Sequence, residues 1–486
     1  MPKFLTLKNI FYFILFTSLL FDITFSFKQH SRMNLDGDMA QIIVPSNSYK
    51  KVLSDPLGFS VLIKKEMYPA TNRFFAHWFM AKYFKSVPFF LQYFTPPIES
   101  IFFSCALAKT STQVLIIFLL AYCVSMRSNT PGKDILLAAA LLTPLFQTEG
   151  YNRIIGIIDW STTYTFFYAL PLAFTLLFFI PFYSVYFLHR KNSFSIATHL
   201  VLVFLAFFIS FNGPLIPGVI LILCPLVLLY YGYIAYKASV PRPFIKQVYE
   251  AILSIPKPLL FYFTLVSALS LYSLYIGSYN SENNTFNLPI YERYGRLVNG
   301  IKNLFTEGIA FSFILLVIVL NTIIISWKFI QEKNARKILS ALKWVGVFSV
   351  LYLLLLPLGG TRIYRPDIIR FDTMMPVTLA LFFAFGISTL FLLKRNAGVY
   401  KFAYTTIIFM FLFHYMDADN SLFHNNKNER EAMEKIAHSS EKIVEIPGDV
   451  TVLSWKKITD YHQSELNSTL LQYWGVTKEK KLYYQK

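Results

Sequence analysis

The sequence predicts an all-α polytopic membrane protein. Its 486 residues are 55% hydrophobic and only 15% charged. The apolar residues recur in blocks of about 17 to 25, the length that crosses about 30 Å of hydrocarbon as a helix. Polar residues are confined to short stretches between these blocks, whereas a soluble chain of this size would divide into domains with alternating polar and apolar faces.

The apolar blocks predict about eleven membrane crossings within a transmembrane domain of residues 1–416. The first block follows a basic start, as in a signal peptide, but no small-residue cleavage site follows SFKQH, so we expect an uncleaved helix. The predicted crossings lie near residues 10–27, 110–126, 134–149, 163–188, 194–211, 217–236, 258–277, 308–327, 341–357, 374–393 and 401–416.

The charges between the crossings predict the orientation. Loops on the side of the N-terminus, together with Lys3 and Lys8, carry 18 basic residues against 3 acidic ones, whereas the short loops on the other side carry 7 of each. Basic residues concentrate on the cytoplasmic side of membrane proteins. We therefore expect a multi-pass protein of the inner (cytoplasmic) membrane, with a cytoplasmic N-terminus and an extracytoplasmic C-terminal tail. The net charge of +18 then marks orientation and contact with anionic membrane lipids, and no nucleic acid is expected as a partner.

Residues 28–99 form the predicted first extracytoplasmic loop. Within it, NRFFAHWFMAKYFKSVPFFLQYF at 72–94 interleaves basic residues with Phe, Tyr and Trp. This pattern is typical of an interfacial helix whose aromatic rings lie at headgroup depth. A helix packed inside the loop is an equal alternative.

Residues 417–486 form the predicted extracytoplasmic tail, a small α/β unit. NEREAMEKIAHSSEKI predicts an amphipathic helix, and VEIPGDVTVLSW predicts a strand, a turn and a second strand.

Two carboxylates stand one glycine apart at the start of the first loop, in NLDGDMAQ at 34–41. A surface turn is the default reading of Asp-Gly. At the mouth of a first crossing, however, Asp36 or Asp38 can act as a catalytic general base, or can hold a divalent cation, Mg²⁺ or Mn²⁺, against a pyrophosphate. No cofactor is certain from the sequence.

Three arginines cluster before a late crossing, in GGTRIYRPDIIRFD. Arg362, Arg365 and Arg370 suit a phosphate or pyrophosphate, since a guanidinium can fork two hydrogen bonds onto it. The alternative is a positive anchor at the lipid headgroups. On the same predicted side, TEGYNRIIGIIDW supplies Glu149 and Asp159 as candidates for orienting an acceptor or a metal.

The chain resembles the GT-C superfamily of membrane glycosyltransferases, of the bacterial type. The resemblance covers the architecture of the whole chain, the DGD motif at 36–38 and TRIYRPDIIRFDTMMP at 361–376. It implies a sugar donor carried on a polyprenyl phosphate or pyrophosphate, and an acceptor lipid, glycan or protein on the extracytoplasmic face. It also implies that Asp36 or Asp38 deprotonates the acceptor for an inverting attack, while Arg362, Arg365 and Arg370 hold the departing phosphate. A tail of roughly 70 residues is too short for a large folded outer domain, which favours transfer of a single sugar.

Three other functions fit parts of the sequence. A secondary transporter or flippase for an envelope-related solute or lipid would use ionisable residues near the midplane, and Asp22 and Lys109 are its candidates. A ligase or polymerase of lipid-linked polysaccharide would favour a longer late outer loop. A scaffold protein of the envelope would use the tail as a binding module.

Overall fold

The computed structural model describes residues 7–125, 131–146, 156–189, 194–238, 244–283, 288–306, 310–359, 366–396, 398–415 and 426–486. The chain is an all-α membrane protein with a small mixed unit at its C-terminal end. Eight of the described helices are long and apolar enough to cross a membrane by length and composition.

Nine helices, apart from short 3-10 turns, lie within the described residues of the first half of the chain. They are α1 (Leu7–His30), α2 (Met39–Ile43), α3 (Asn47–Ser54), α4 (Phe59–Lys64), α5 (Phe74–Phe84), α6 (Val87–Leu91), α7 (Pro97–Ser125), α8 (Pro131–Leu142) and α9 (Thr162–Phe187), the last including two short π-helical stretches.

In the second half, the part of the chain that the structure describes contains eleven helices, apart from short 3-10 turns, and two strands. They are α10 (Ile196–Ser210), α11 (Leu215–Ala238), α12 (Phe244–Leu253), α13 (Lys257–Gly277), α14 (Ile290–Thr306), α15 (Ala310–Lys328), α16 (Lys333–Leu355), α17 (Phe371–Arg395), α18 (Gly398–Tyr415), α19 (Lys427–His438), β1 (Ile443–Ile446), α20 (Glu465–Tyr473) and β2 (Leu482–Gln485).

Each of the eleven predicted crossings corresponds to a helix, but three of these helices are short. The predictions at 134–149, 194–211 and 401–416 correspond to α8, α10 and α18, which are not among the eight candidate spans. Conversely, α7 begins at Pro97 rather than near residue 110. Glu99 and Lys109 interrupt the apolar pattern of its first half, although most of that half is buried.

Contacts at the helix termini distinguish the two ends of the helix bundle. At one end, Lys394 pairs with Asp134, and Arg395 pairs with Glu332 at 2.8 Å. At the other end, the segment between α1 and α7 packs over the helices. We call this second end the site end. We call the layer over it, made of residues 31–96 and 426–486, the cap.

The aromatic segment predicted at 72–94 is helical, in two pieces. Helix α5 buries His77, Met80 and Phe84 against the bundle and leaves Trp78 exposed. Helix α6 is followed by the exposed ring of Tyr93. The segment therefore has one packed face and one open aromatic face, as an interfacial helix requires.

The tail differs from its predicted pattern in one element. The predicted amphipathic helix is α19 and the predicted first strand is β1, but no second strand follows in VEIPGDVTVLSW. Instead, β1 pairs in parallel with β2, with Ile443 opposite Leu482. The turn in the sequence leads to Val452 and Leu453, whose side chains are buried in the tail core rather than paired in a hairpin.

The tail is docked on the first loop through specific hydrogen bonds. The backbone N–H of Asn426 donates to the carbonyl of Arg32 at 3.0 Å. The indole N–H of Trp474 donates to the carbonyl of Phe84 at 3.0 Å, and Gln92 donates to the carbonyl of Trp474 at 2.8 Å. These contacts join the two parts of the cap into one layer.

Candidate functional site

A cavity of about 600 Å³ opens between the cap and the site end of the bundle. This volume falls within the range typical of small-molecule sites. Charged, polar and aromatic side chains meet in its wall. The lining residues are Asp38, Gln41, Ile42, Tyr49, Ala70, Arg73, His77, Thr163, Tyr164, Phe167, Tyr168, Glu282 and Trp455.

Asp38 is the predicted carboxylate that lines the cavity. It precedes α2, and its Oδ1 accepts a hydrogen bond from Gln41 Nε2 at 2.9 Å. The side chain is partly buried, so its carboxylate faces the cavity rather than bulk water. A carboxylate so placed can accept a proton from a bound hydroxyl or amine.

Asp36 lies beneath the cavity and is fully buried. Its carboxylate accepts hydrogen bonds from the Ser161 hydroxyl at 3.1 Å, from the Thr163 N–H at 2.9 Å and from the Thr163 hydroxyl at 2.6 Å. A fourth bond, at 3.1 Å, comes from the N–H of Asp38. Asp36 therefore fastens the first loop to the start of α9 and fixes the backbone that carries Asp38.

Gly37 separates the two aspartates because the tail lies against it. A Cβ at this position would come within 2.5 Å of Cδ1 and 2.6 Å of the backbone nitrogen of Trp455. Atoms cannot approach so closely without displacing the backbone of Trp455. The DGD sequence therefore requires its central glycine for close packing of loop and tail.

Arg73 supplies the guanidinium of the cavity wall. It is the residue before α5, and its guanidinium carbon lies 5.5 Å from the ring centre of Phe167. The stem of Arg73 also packs near Gly213, whose φ of +105° favours glycine and whose absent Cβ would lie 3.2 Å from Arg73 Nε. The turn at Gly213, in the sequence FNGPLIPG, therefore makes room for this arginine.

Tyr49 and Glu282 bring two distant segments to the same cavity. The hydroxyl of Tyr49, in α3, donates to a carboxylate oxygen of Glu282, which follows α13. Burial raises the pKa of Tyr49, and the negative charges of Glu282 and Asp38 raise it further. Tyr49 is therefore a neutral donor at physiological pH, and two carboxylates lie within electrostatic reach of it.

His77 forms part of the aromatic wall and carries no charge at neutral pH. Its ring lies 6.0 Å from that of Tyr49 in a stacked arrangement and 5.0 Å from that of Phe167. Burial lowers the pKa of His77 to about 3, and the nearby charge of Arg73 lowers it as well. Arg73 is thus the basic group among the described lining residues.

Asp159 lies in the buried layer below the cavity, and Glu149 lies outside the described residues. Oδ1 of Asp159 accepts a hydrogen bond from the N–H of Ser161 at 2.7 Å. Burial raises the pKa of Asp159 to about 7, and the charges of Asp372 and Asp36 add to this shift, while the Ser161 bond and Lys109 oppose it.

Lys109 is fully buried in α7 at the site end. Its ammonium group donates to the carbonyl of Trp160 and lies 3.3 Å from the sulfur of Met33. It therefore joins the first loop to the segment before α9, close to the cap rather than deep in the bundle.

The arginine-rich loop is described from residue 366 onward, so Arg362 and Arg365 lie outside the described residues. Arg370 binds Asp372 through two hydrogen bonds, at 2.9 and 3.1 Å, and donates a third to the carbonyl of Asp367 at 2.8 Å. Arg370 is not among the residues that line the cavity. Its fork is engaged in fixing the start of α17.

The carboxylates of the site do not form a ready metal centre in the described ranges. No group of three or more His, Cys, Asp or Glu residues in those ranges is placed to hold a metal ion. Asp38 and Glu282 are the two carboxylates of the described cavity wall.

The chain matches no protein-family model, no curated protein and no solved structure. Its function is therefore inferred from its residues and their geometry.

Among the described lining residues, the sequence predicts Asp38 alone as a site residue. Of those that it does not predict, Tyr49, Arg73, Glu282 and Trp455 matter most for the chemistry of the site. Each stands in a different segment, and none belongs to a recognisable motif. One signal was available, since Arg73 and His77 are four residues apart in NRFFAHW and therefore share one face of a helix. The others depend on contacts between segments far apart in sequence.

Proposed function

We propose that the protein is an inverting glycosyltransferase. It moves a sugar from a polyprenyl phosphate or pyrophosphate to an acceptor lipid, glycan or protein on the extracytoplasmic face. The observation that carries the proposal is the meeting of the Asp38 carboxylate and the Arg73 guanidinium in one cavity at an end of a membrane bundle. A base for the acceptor and a cation for the leaving phosphate are the two groups that such a transfer needs.

In the proposed reaction, Asp38 accepts the proton of the acceptor hydroxyl or amine. The acceptor atom then forms a bond to the anomeric carbon from the side opposite the phosphate. The bond between the anomeric carbon and the phosphate oxygen breaks, and its electron pair stays on the phosphate. The product is a glycosylated acceptor with inverted configuration, together with the polyprenyl phosphate or pyrophosphate.

The leaving phosphate gains negative charge in the transition state, and guanidinium groups stabilise it. Arg73 is the described residue best placed for this role, because it lines the cavity together with Asp38. Arg362, Arg365 and Arg370 remain candidates for the lipid-linked phosphate as it approaches from the bilayer. Asp36 acts through Asp38, as a positioning residue.

The orientation follows from the distribution of charge. Lys394 and Arg395, which belong to the predicted basic loops, lie at the end of the bundle opposite the cap. We therefore infer that the cap is extracytoplasmic and the N-terminus cytoplasmic. Eleven crossings complete this topology, with α8, α10 and α18 as short ones. The contacts at the two ends of α10 support this count. Near its start, Nδ1 of His199 is hydrogen-bonded to the hydroxyl of Tyr262 at 2.7 Å. After its end, the carbonyl of Phe211 accepts a hydrogen bond from the N–H of Phe75 in the cap at 3.3 Å.

The direct test is turnover by purified protein, comparing wild type with Asp38→Asn. Release of polyprenyl phosphate is followed from a panel of lipid-linked hexoses and pentoses. Because a general base contributes about 10² to 10⁴ in rate, we expect Asp38→Asn to lose at least about 10²-fold in kcat. Asp449→Asn, at an exposed position of the tail, is the matched control and should keep wild-type activity. Turnover by Asp38→Asn at the wild-type rate would remove Asp38 from the reaction.

A transporter or flippase is the second candidate, since Asp22 and Lys109 are ionisable residues in membrane-spanning helices. The contact of Lys109 with Trp160 places its charge near the cap, which weakens a midplane ion site. The same assay separates the two functions, because a transporter releases no polyprenyl phosphate.

A further inference from the structure

Trp455 and Trp474, the two tryptophans of the described tail, differ in their exposure. Trp474 is fully buried, whereas Trp455 is 44% exposed and lines the cavity. A large aromatic side chain usually hides such a surface when packing allows. Trp455 thus contributes aromatic surface to a cavity whose wall also contains charged and hydroxyl groups.

The indole of Trp455 is held in place from several sides. Gly37 of the DGD motif lies against its Cδ1 and its backbone. The ring of Trp160 stands edge-on to it, with ring centres 5.3 Å apart and an interplanar angle of 79°. The ring of Tyr164 lies 6.3 Å away. An aromatic surface fixed in this way is preorganised, so a ligand stacking on it spends little free energy on ordering it.

The groups in the same cavity narrow the class of ligand. Asp38, Glu282, Tyr49 and Arg73 supply hydrogen-bond acceptors and donors. A ligand that matches both features has one apolar face and a rim of hydroxyl groups. A pyranose ring has this shape, because its axial C–H bonds form an apolar face and its hydroxyls project around the edge.

We propose that Trp455 is the stacking platform for a pyranose ring, so that the C-terminal tail contributes a specificity-determining residue to the site. This proposal rests on the proposed function. The C–H face of the sugar lies on the indole, and Glu282 and Tyr49 bind its hydroxyls, which leaves Asp38 for the proton transfer. The sugar belongs either to the lipid-linked donor or to the acceptor, and the two sources are distinguished experimentally.

The test measures binding, so it requires no turnover. In the donor arm, wild type, Trp455→Phe and Trp455→Ala are titrated with polyprenyl-phosphate-linked hexoses and with the same polyprenyl phosphate lacking a sugar. In the acceptor arm, the probes are methyl glycosides of those hexoses. In one of the two arms, we expect Trp455→Ala to bind the sugar-bearing probe about tenfold more weakly, equal to about 1.4 kcal/mol, and Trp455→Phe to lose less. In the donor arm, binding of the polyprenyl phosphate that lacks a sugar should not change.

The control is Trp327→Ala. Trp327 is strongly exposed and lies in the last turn of α15, at the end of the bundle away from the cap. It should bind every probe as the wild type does. If Trp455→Ala does not fold, Trp455→Phe keeps an aromatic ring and still has to show a reduced sugar preference. The proposed platform would be overturned if Trp455→Ala kept the wild-type sugar preference in both arms. If the alanine variant is unfolded, the same result for Trp455→Phe would overturn it. Full activity of Asp38→Asn would instead overturn the proposed base.

Discussion

The three residues of the DGD motif perform three different tasks. Asp36 is buried and bonded to Ser161 and Thr163. Gly37 admits Trp455, and Asp38 faces the cavity. The sequence predicts two interchangeable carboxylates. The eight residues around the motif do not indicate which aspartate will be buried by Ser161 and Thr163, more than a hundred residues later in the chain.

The buried anchor gives a prediction at the residue scale. Asp36→Ala would leave the N–H and hydroxyl of Thr163 and the hydroxyl of Ser161 without their acceptor. Hydrogen bonds to a charged group contribute about 1.5 to 3 kcal/mol each, and unsatisfied buried donors add a desolvation cost. We expect the variant to lose at least about 3 kcal/mol of stability and several degrees of Tm in detergent.

The matched controls for Asp36→Ala are Asp449→Asn in the exposed tail and Asp38→Asn in the cavity wall. Both should keep a Tm near that of the wild type, since Asp449 is exposed and Asp38 is only partly buried, whereas Asp36 is fully buried. A wild-type Tm for Asp36→Ala would show that the anchor is not needed.

At the scale of elements, the apolar blocks are well predicted and their lengths are not. Helix α7 is longer than its block, because polar residues such as Ser100 and Lys109 are buried under the cap instead of facing water. The second tail strand is missed for a different reason. A local pattern favours a hairpin, whereas β1 pairs with β2, which follows α20.

The short helix α18 makes the crossing count testable. At its start, Tyr400 lies under Lys328 at 4.5 Å, away from the cap. The next described residue after α18 is Asn426, whose N–H donates a hydrogen bond to the carbonyl of Arg32 in the cap. If α18 crosses, Asn334 and Ser440 lie on opposite sides of the membrane.

We therefore expect an impermeant thiol reagent to label Ser440→Cys in intact cells and to label Asn334→Cys only after the membrane is opened. Both positions are exposed, and the native cysteines are buried. Labelling of both variants from the same side would contradict the crossing of α18. Labelling of Asn334→Cys alone from outside would place the cavity in the cytosol.

At the scale of the whole molecule, the two ends of the chain build one site. Glu429 in α19 accepts hydrogen bonds from the N–H groups of Leu35, at 3.0 Å, and Leu453, at 3.3 Å. Burial raises the pKa of Glu429 to about 8, while these bonds and Arg430 oppose the shift. Glu429 is therefore a buried carboxyl group that binds both the first loop and the tail, through the segments that lead to Asp38 and Trp455.

The sequence predicts the membrane class, the acid pair and the separate existence of loop and tail. It does not predict that the loop and the tail pack together around one cavity. The contacts between Gly37 and Trp455 and between Tyr49 and Glu282 join segments far apart in the chain. Arg73 entered the prediction only as a basic residue of an interfacial helix. Its place in the cavity depends on the glycine turn at 213 and on the ring of Phe167.

The central claim is that this cavity holds a lipid-linked sugar with its reacting carbon facing Asp38. The most direct measurement is a cryo-EM structure in lipid nanodiscs with a non-hydrolysable polyprenyl phosphonate sugar. The expected result is ligand density in the cavity, with the phosphonate beside Arg73 and the anomeric carbon on the side of Asp38. Ligand density at another part of the molecule, with the cavity between cap and bundle empty, would contradict the claim.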